Sequence, residues 1–363
     1  MEWQERAFAL LRDGIEEGLM PGAAACIGCR GRMLASETLG LAALNPEPVP
    51  ATSETRFDMA SLTKVMATTM VALRFIDDGR LTLHDPISRW FDAPADKRSV
   101  TLLQLMTHTA GFPPHIPLWT RLTDPAGTLP LLLDTPPAYP AGTRVEYSCM
   151  GYILLGFLLE RIGGAPLDQL ARTWVFEPLG MHDTGFVRSG TARTAATVAG
   201  LQGELPAYAS TEWDDTTGTW LNGVVHDENA RFLGGVSGNA GLFSTLADCG
   251  RFAAMLACRG VCEGTRFLSE PLFRLAVTNH TPGLEESRGL GLGLFDGRIL
   301  SCGEFFAPGS YGHSGYTGTT IWVDAETGLH VTLLTNSVHF GRERDAFFRL
   351  RRRFHNLVMA GWR

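Results

Sequence analysis

Apolar and polar positions follow two different periods along this chain. Near both ends the runs are short and strand-like. Residues 23–29 and 32–39, joined at Arg30-Gly31, read as one hairpin, and residues 319–324 and 329–335, joined through Glu326-Thr327-Gly328, read as another. Between them the apolar residues recur at helical spacing over 102–106, 152–162, 167–176, 246–256 and 271–277. A further helix runs from Leu62 to about Asp78, after the short extended stretch 55–59, and Gly79 closes it. Loops rich in Gly, Pro and Thr separate the elements, notably 122–140 and 185–224. Half-buried terminal strands pair, so the pattern predicts one antiparallel sheet built from both chain ends with a large, mainly helical insertion, an α/β arrangement of the α+β kind. The expected division is a single domain over 1–363, in which 1–60 plus 285–363 make the sheet part and 61–284 the helical part.

Composition adds mostly exclusions. The 363 residues are 45% hydrophobic and carry a net charge of −7, which gives a globular chain with ample core and no basic footprint for nucleic acid. One basic cluster, Arg342, Arg344, Arg349, Arg351, Arg352 and Arg353, falls on a C-terminal helix whose other face carries Phe347, Phe348, Leu350, Phe354 and Leu357. It reads as a solvated helix face rather than a lipid or partner patch. Acidic residues stand at the N-terminus where a secretory leader needs basic ones, and no apolar run approaches the roughly 20 residues of a membrane span. The expectation is a cytoplasmic protein.

Seven cysteines, an odd number, suit a reduced compartment better than a disulfide framework. Cys26-x-x-Cys29 and Cys258-x3-Cys262 have zinc-like spacing, but residues i and i+3 of a strand face opposite sides. No metal or cofactor is expected.

Chemistry enters through a scarcity. Lys64 and Lys97 are the only lysines beside 29 arginines, and Lys64 stands three residues after Ser61. On a helix that spacing puts both on one face, about 5–6 Å apart at Cβ, and a desolvated amine that gives up its proton can activate a serine as nucleophile. The plainer alternative is a capping serine with a surface lysine. Tyr147 precedes a helix in Glu146-Tyr147-Ser148-Cys149, where a neighbouring ammonium would help it shuttle a proton; a half-buried loop tyrosine is the alternative. In Tyr311-Gly312-His313-Ser314-Gly315-Tyr316 the small residues would let a substrate backbone approach a strand, or simply make a turn.

Together, Ser61-Leu62-Thr63-Lys64, Tyr147-Ser148-Cys149 and His313-Ser314-Gly315 resemble the three ordered motifs of the serine β-lactamase-like hydrolases: class C β-lactamases, low-molecular-weight penicillin-binding proteins, D-aminopeptidases and related esterases. Leu105-Met106-Thr107-His108-Thr109-Ala110-Gly111-Phe112 and Gly238-Asn239-Ala240-Gly241-Leu242-Phe243-Ser244-Thr245 resemble flanking signatures of the same family, over about residues 15 to 340. The resemblance implies a β-lactamase/transpeptidase-like fold and an acyl-enzyme on Ser61. It gives Lys64 and Tyr147 the acid and base work, and the backbone N–H groups of Ser61 and Tyr316 an oxyanion hole. It also implies substrate contacts from His313, Ser314, Gly315 and Cys149, from His115 on the acyl side, and from Asn336 on the carboxylate side.

Two departures bear on substrate. Cys149 stands where the family has an asparagine amide, and His313 where it has a lysine that helps bind a carboxylate. A His-x-Gly third motif is similar to D-aminopeptidases, D-amino-acid amidases and some esterases. The expected activity is therefore hydrolysis of a small amide or ester, such as a D-amino-acid peptide, amide or acyl ester. A penicillin-binding DD-carboxypeptidase or weak β-lactamase is one alternative; a non-catalytic binder, for which Cys149 is the argument, is the other. Oligomeric state is left open.

Overall fold

The computed structural model describes residues 2–188, 208–298 and 301–362. Its centre is an antiparallel sheet of seven strands: β1 (Gly22–Cys29), β2 (Arg32–Ala43), β3 (Val49–Pro50), β4 (Gly293–Leu294), β5 (Tyr311–Ser314), β6 (Thr320–Val323) and β7 (Leu329–Thr335). Their order across the sheet is β4-β5-β6-β7-β1-β2-β3. The two expected hairpins, β1–β2 and β6–β7, lie side by side, with Ala25 opposite Leu333 and Ile27 opposite Val331. The sheet from both chain ends is thus what the structure has.

Alternation along β1 serves two cores. Ala23, Ala25 and Ile27 pack on the helices Trp3–Glu16 (α1) and Asp345–Trp362, while Ala24 and Cys26 face the inserted helices. Because both faces are covered, β1 reads as a nearly unbroken apolar run. Cys26 accordingly sits in the helical core and Cys29 packs on the other side. Among the described residues no three His, Cys, Asp or Glu side chains converge as a metal site would need. No single described helix is long and apolar enough to cross a membrane.

The helices follow their periods, with instructive differences. The one after Ser61 begins as wide π-type turns, Lys64–Thr69, and continues as α2 (Met70–Asp77), with Gly79 left-handed at φ 74°. The helix expected at 152–162 is Cys149–Gly163 (α3), three residues longer at its start, because the Ser148 hydroxyl caps it by accepting the Gly151 N–H at 3.1 Å. The stretch expected as loop at 122–140 contains a helix at Thr128–Asp134, which Pro130 in its first turn hid. The expected loop 185–224 falls partly outside the described residues.

The basic C-terminal cluster is not a solvated face throughout. Arg344 and Arg351 are buried, stacked on Tyr316, Phe347 and Phe348, and Arg342 pairs with Glu212 and Glu228. Arg342 and Arg344 precede the helix, which begins at Asp345, so only Arg349, Arg351, Arg352 and Arg353 of the cluster lie on it.

Candidate active site

Ser61 stands on a turn that tertiary contacts hold in a strained shape. Ala60, just before it, has φ 45°, a left-handed value that costs a residue with Cβ on the order of 1 kcal/mol or more. The buried Asp58 carboxylate fixes the turn by accepting the Ala60 N–H at 2.8 Å and the His226 N–H at 2.7 Å. Asp58 is a site-building residue that motif reading passed over, although it lies in the extended stretch 55–59 just before Ser61. The third motif is fastened to the same turn: the Thr317 hydroxyl donates to the Asp58 carbonyl at 2.7 Å and Thr319 to the Met59 carbonyl at 3.3 Å.

Gly315 makes this approach possible. A Cβ there would lie 2.6 Å from the Met59 oxygen and 2.2 Å from Thr319 Oγ1. Ser61 and Tyr316 both line one cleft, and no hydrogen bond within the described residues is made by the backbone N–H of either. The Tyr316 side chain itself points outward, 47% exposed.

Lys64 is fully buried, with Nζ donating to Ser61 Oγ at 3.0 Å, to the Asn239 carbonyl at 3.0 Å and to Cys149 Sγ at 3.5 Å. The surface-lysine alternative is therefore wrong. Burial alone does not set the charge of the amine. Desolvation does favour the neutral form, but Cys149, Tyr147 and the more distant Asp227 favour the ammonium, and the balance lies above the ordinary lysine value. Cys149 Sγ and the Tyr147 ring both lie against the Lys64 amine, which therefore sits in a cluster of polar groups rather than alone.

Tyr147 lies with its ring 5.0 Å from Lys64 Nζ and its hydroxyl buried without a partner in the described residues. His313, 7% exposed, donates from Nδ1 to the Ser314 carbonyl at 2.8 Å, which leaves Nε2 as a lone pair. Burial, Arg288 and Lys64 push its pKa down to about 3, so the imidazole is neutral at pH 7.

The cleft has a volume of about 620 Å³, and Ser61, Tyr147, His313, Ser314 and Gly315 all line it. Arg288 lines it too, 8% exposed, with its guanidinium 5.6 Å from the Tyr147 ring, Nε unpartnered in the described residues, and one ion pair to Glu286. No sequence signal marks it, since it stands alone in the loop Ser287-Arg288-Gly289. It places a guanidinium, paired with Glu286, on the same cleft as His313.

Asn336 and His115 lie off this cleft wall. Asn336 is 1% exposed and fully engaged: Oδ1 accepts the Gly22 N–H at 3.2 Å, and Nδ2 donates to the carbonyls of Ala42 and Ser210, each at 3.1 Å. It ties β7 to β1 and β2 and does not line the cleft. His115 is exposed, paired with Trp119 at 5.8 Å, and also absent from the cleft wall. Its loop touches the site instead through the Pro114 carbonyl, which accepts the Cys149 N–H at 3.0 Å.

An antiparallel sheet with a helical insertion, and a serine and lysine facing the strand Tyr311–Ser314 and the glycine that follows it, define the serine β-lactamase/transpeptidase fold. The chain belongs to the Beta-lactamase family, whose sequence profile matches residues 8–354. A protein of Escherichia coli (strain K12), named as a D-alanyl-D-alanine carboxypeptidase, is 32% identical over 321 residues, covering 82% of this chain and 72% of its own. Among solved structures, the octameric penicillin-binding protein homologue from Pyrococcus abyssi aligns with a TM-score of 0.72 at 22% identity, over 95% of this chain and 76% of that one. EstCE1, a hydrolase with promiscuous acyltransferase activity, aligns with a TM-score of 0.74 at 22% identity, over 98% of both chains. The family is mostly one of serine hydrolases.

Proposed function

We propose that this protein hydrolyses a small amide or ester through an acyl-enzyme on Ser61. The Ser61 oxygen attacks the substrate carbonyl while its proton passes to the Lys64–Tyr147 cluster. The carbonyl oxygen, now anionic, accepts the N–H groups of Ser61 and Tyr316, and Tyr147 returns the proton to the departing nitrogen or oxygen. Water then attacks the ester on Ser61 by the same path in reverse. The observation that carries this reading is the 3.0 Å contact between Lys64 Nζ and Ser61 Oγ, with Ser61 and Tyr147 both on the wall of one cleft.

The test is covalent labelling with a fluorophosphonate, read by intact-protein mass. Wild type is expected to gain one adduct and Ser61→Ala none, with the fold intact; an equal adduct on Ser61→Ala overturns the assignment.

A second reading, a carboxypeptidase acting on a leaving group that bears a carboxylate, is supported by Arg288. The absence of a cation at His313 argued for neutral substrates, and a buried guanidinium on the same cleft removes that argument. The D-alanyl-D-alanine carboxypeptidase name of the Escherichia coli relative points the same way. Competition of benzylpenicillin against the fluorophosphonate separates the two: protection at micromolar penicillin supports the carboxypeptidase, and none at millimolar supports the neutral-substrate hydrolase.

A further inference from the structure

His108 touches Tyr147 on three sides. Its carbonyl oxygen accepts the Glu146 N–H at 3.0 Å, its Nδ1 accepts the Ser148 N–H at 3.1 Å, and its ring centroid lies 4.4 Å from that of Tyr147 with 34° between the planes. Both peptide N–H groups that flank Tyr147 on its C-terminal and N-terminal neighbours therefore end on one residue. The phenol ring rests on that residue's side chain. Tyr152 backs the imidazole, its centroid 5.0 Å away, and the Tyr139 hydroxyl donates to the His108 carbonyl at 3.1 Å.

The backbone is strained to achieve this. His108 has φ 58° and is 3% exposed, and a left-handed residue with a side chain persists only where its surroundings over-determine it. Its protonation is fixed as well. An Nδ1 that accepts from Ser148 puts the proton of a neutral ring on Nε2, which is buried without a partner in the described residues. Lys64, Arg288 and His313 are the ionisable neighbours that act on the ring, and with burial they hold its pKa well below the ordinary histidine value. A second proton on Nδ1 would face the Ser148 N–H and open the clamp.

We propose that His108 is a positioning residue, which holds Tyr147 beside Lys64 by gripping the backbone on both sides of it and supporting its ring. This rests on the reading above, in which Tyr147 moves the proton. The chemistry itself does not pass through His108.

The test uses the full chain in five forms: wild type, His108→Asn, Tyr139→Phe, Tyr147→Phe, and His108→Asn with Tyr147→Phe. Asparagine tolerates the left-handed backbone and can still accept the Ser148 N–H, but lacks the ring. Steady-state kinetics on p-nitrophenyl butyrate give kcat and KM, the fluorophosphonate labelling rate reports Ser61 directly, and circular dichroism and Tm report folding.

His108→Asn is expected to lose about tenfold or more in kcat with KM within about twofold, a loss of the size that sub-ångström misplacement produces. Tyr139→Phe, which only loosens the far side of the clamp, should lose less, with KM again unmoved. In the Tyr147→Phe background, His108→Asn should cost nothing further, since its effect runs through the phenol.

Additive losses in the double variant, or losses that follow the folded fraction, overturn the inference, as does full kcat in a folded His108→Asn while Tyr147→Phe is inactive. If His108→Asn fails to fold, Tyr139→Phe decides: a raised KM at unchanged kcat refutes the clamp. Full activity in Tyr147→Phe brings down the underlying reading of Tyr147, a result distinct from each of these.

Discussion

Replacing Asn336 separates two roles for one residue. If it ties strands together, Asn336→Ala strands three buried backbone groups at once: the Gly22 N–H and the carbonyls of Ala42 and Ser210. At about 1 kcal/mol for each lost bond, and more for any group that water cannot reach, the expected loss is about 3–5 kcal/mol. At about 2 °C per kcal/mol this is a Tm drop of about 6–10 °C. Asn336→Asp should be no better, because it keeps the acceptor for Gly22 but turns a carboxylate oxygen toward two carbonyl oxygens. Urea titration followed by circular dichroism, together with Tm, measures the stability, and p-nitrophenyl butyrate kinetics on the folded fraction measure function. KM should stay within about twofold. A raised KM with Tm unchanged would refute the structural role and return Asn336 to the substrate.

Three further outcomes follow from the site and the core. Lys64→Arg should keep under a tenth of wild-type kcat, since a guanidinium neither releases a proton nor fits the fully buried space between Ser61, Cys149 and the Asn239 carbonyl; higher activity would make Lys64 a fixed charge only. Arg288→Met should lower the second-order rate of benzylpenicillin acylation about tenfold or more and that of p-nitrophenyl acetate less than threefold, and equal losses would refute carboxylate recognition there. Stability should decline as pH falls below about 6.5, the ordinary histidine value, because burial holds His313 at about 3 and His330 and His355 at about 4 in the folded chain, so the unfolded chain binds protons first. His330, whose two ring nitrogens have no partner among the described residues, is the cleanest probe: His330→Leu should flatten that acid limb in Tm measured from pH 7 to 4, and an unchanged limb would refute the assignment.

Most of the fold could be read from the sequence because its cues are local. A two-residue period with Arg30-Gly31 between two runs specifies a hairpin wherever it lies, and a 3.6-residue period ended by Gly79 specifies a helix. Three motifs in order then gave the family. Ser61 and Lys64 were legible for the same reason, since three residues along a helix fix a distance without help from the rest of the chain, and 29 arginines made the lysine conspicuous. What the sequence could not carry were properties set by residues far apart along it. The charge on Lys64 depends on Cys149 and Tyr147, some 85 positions away. Arg288 becomes a cleft residue only because its loop folds over Tyr147, and Asn336 is withdrawn from the cleft because Gly22, Ala42 and Ser210 meet its amide. Arg344 and Arg351 leave the solvated face for a similar reason. Local spacing follows from backbone geometry alone, whereas burial, protonation and hydrogen-bond partnership are energies of position, and position exists only once the two chain ends have closed the sheet around the helices.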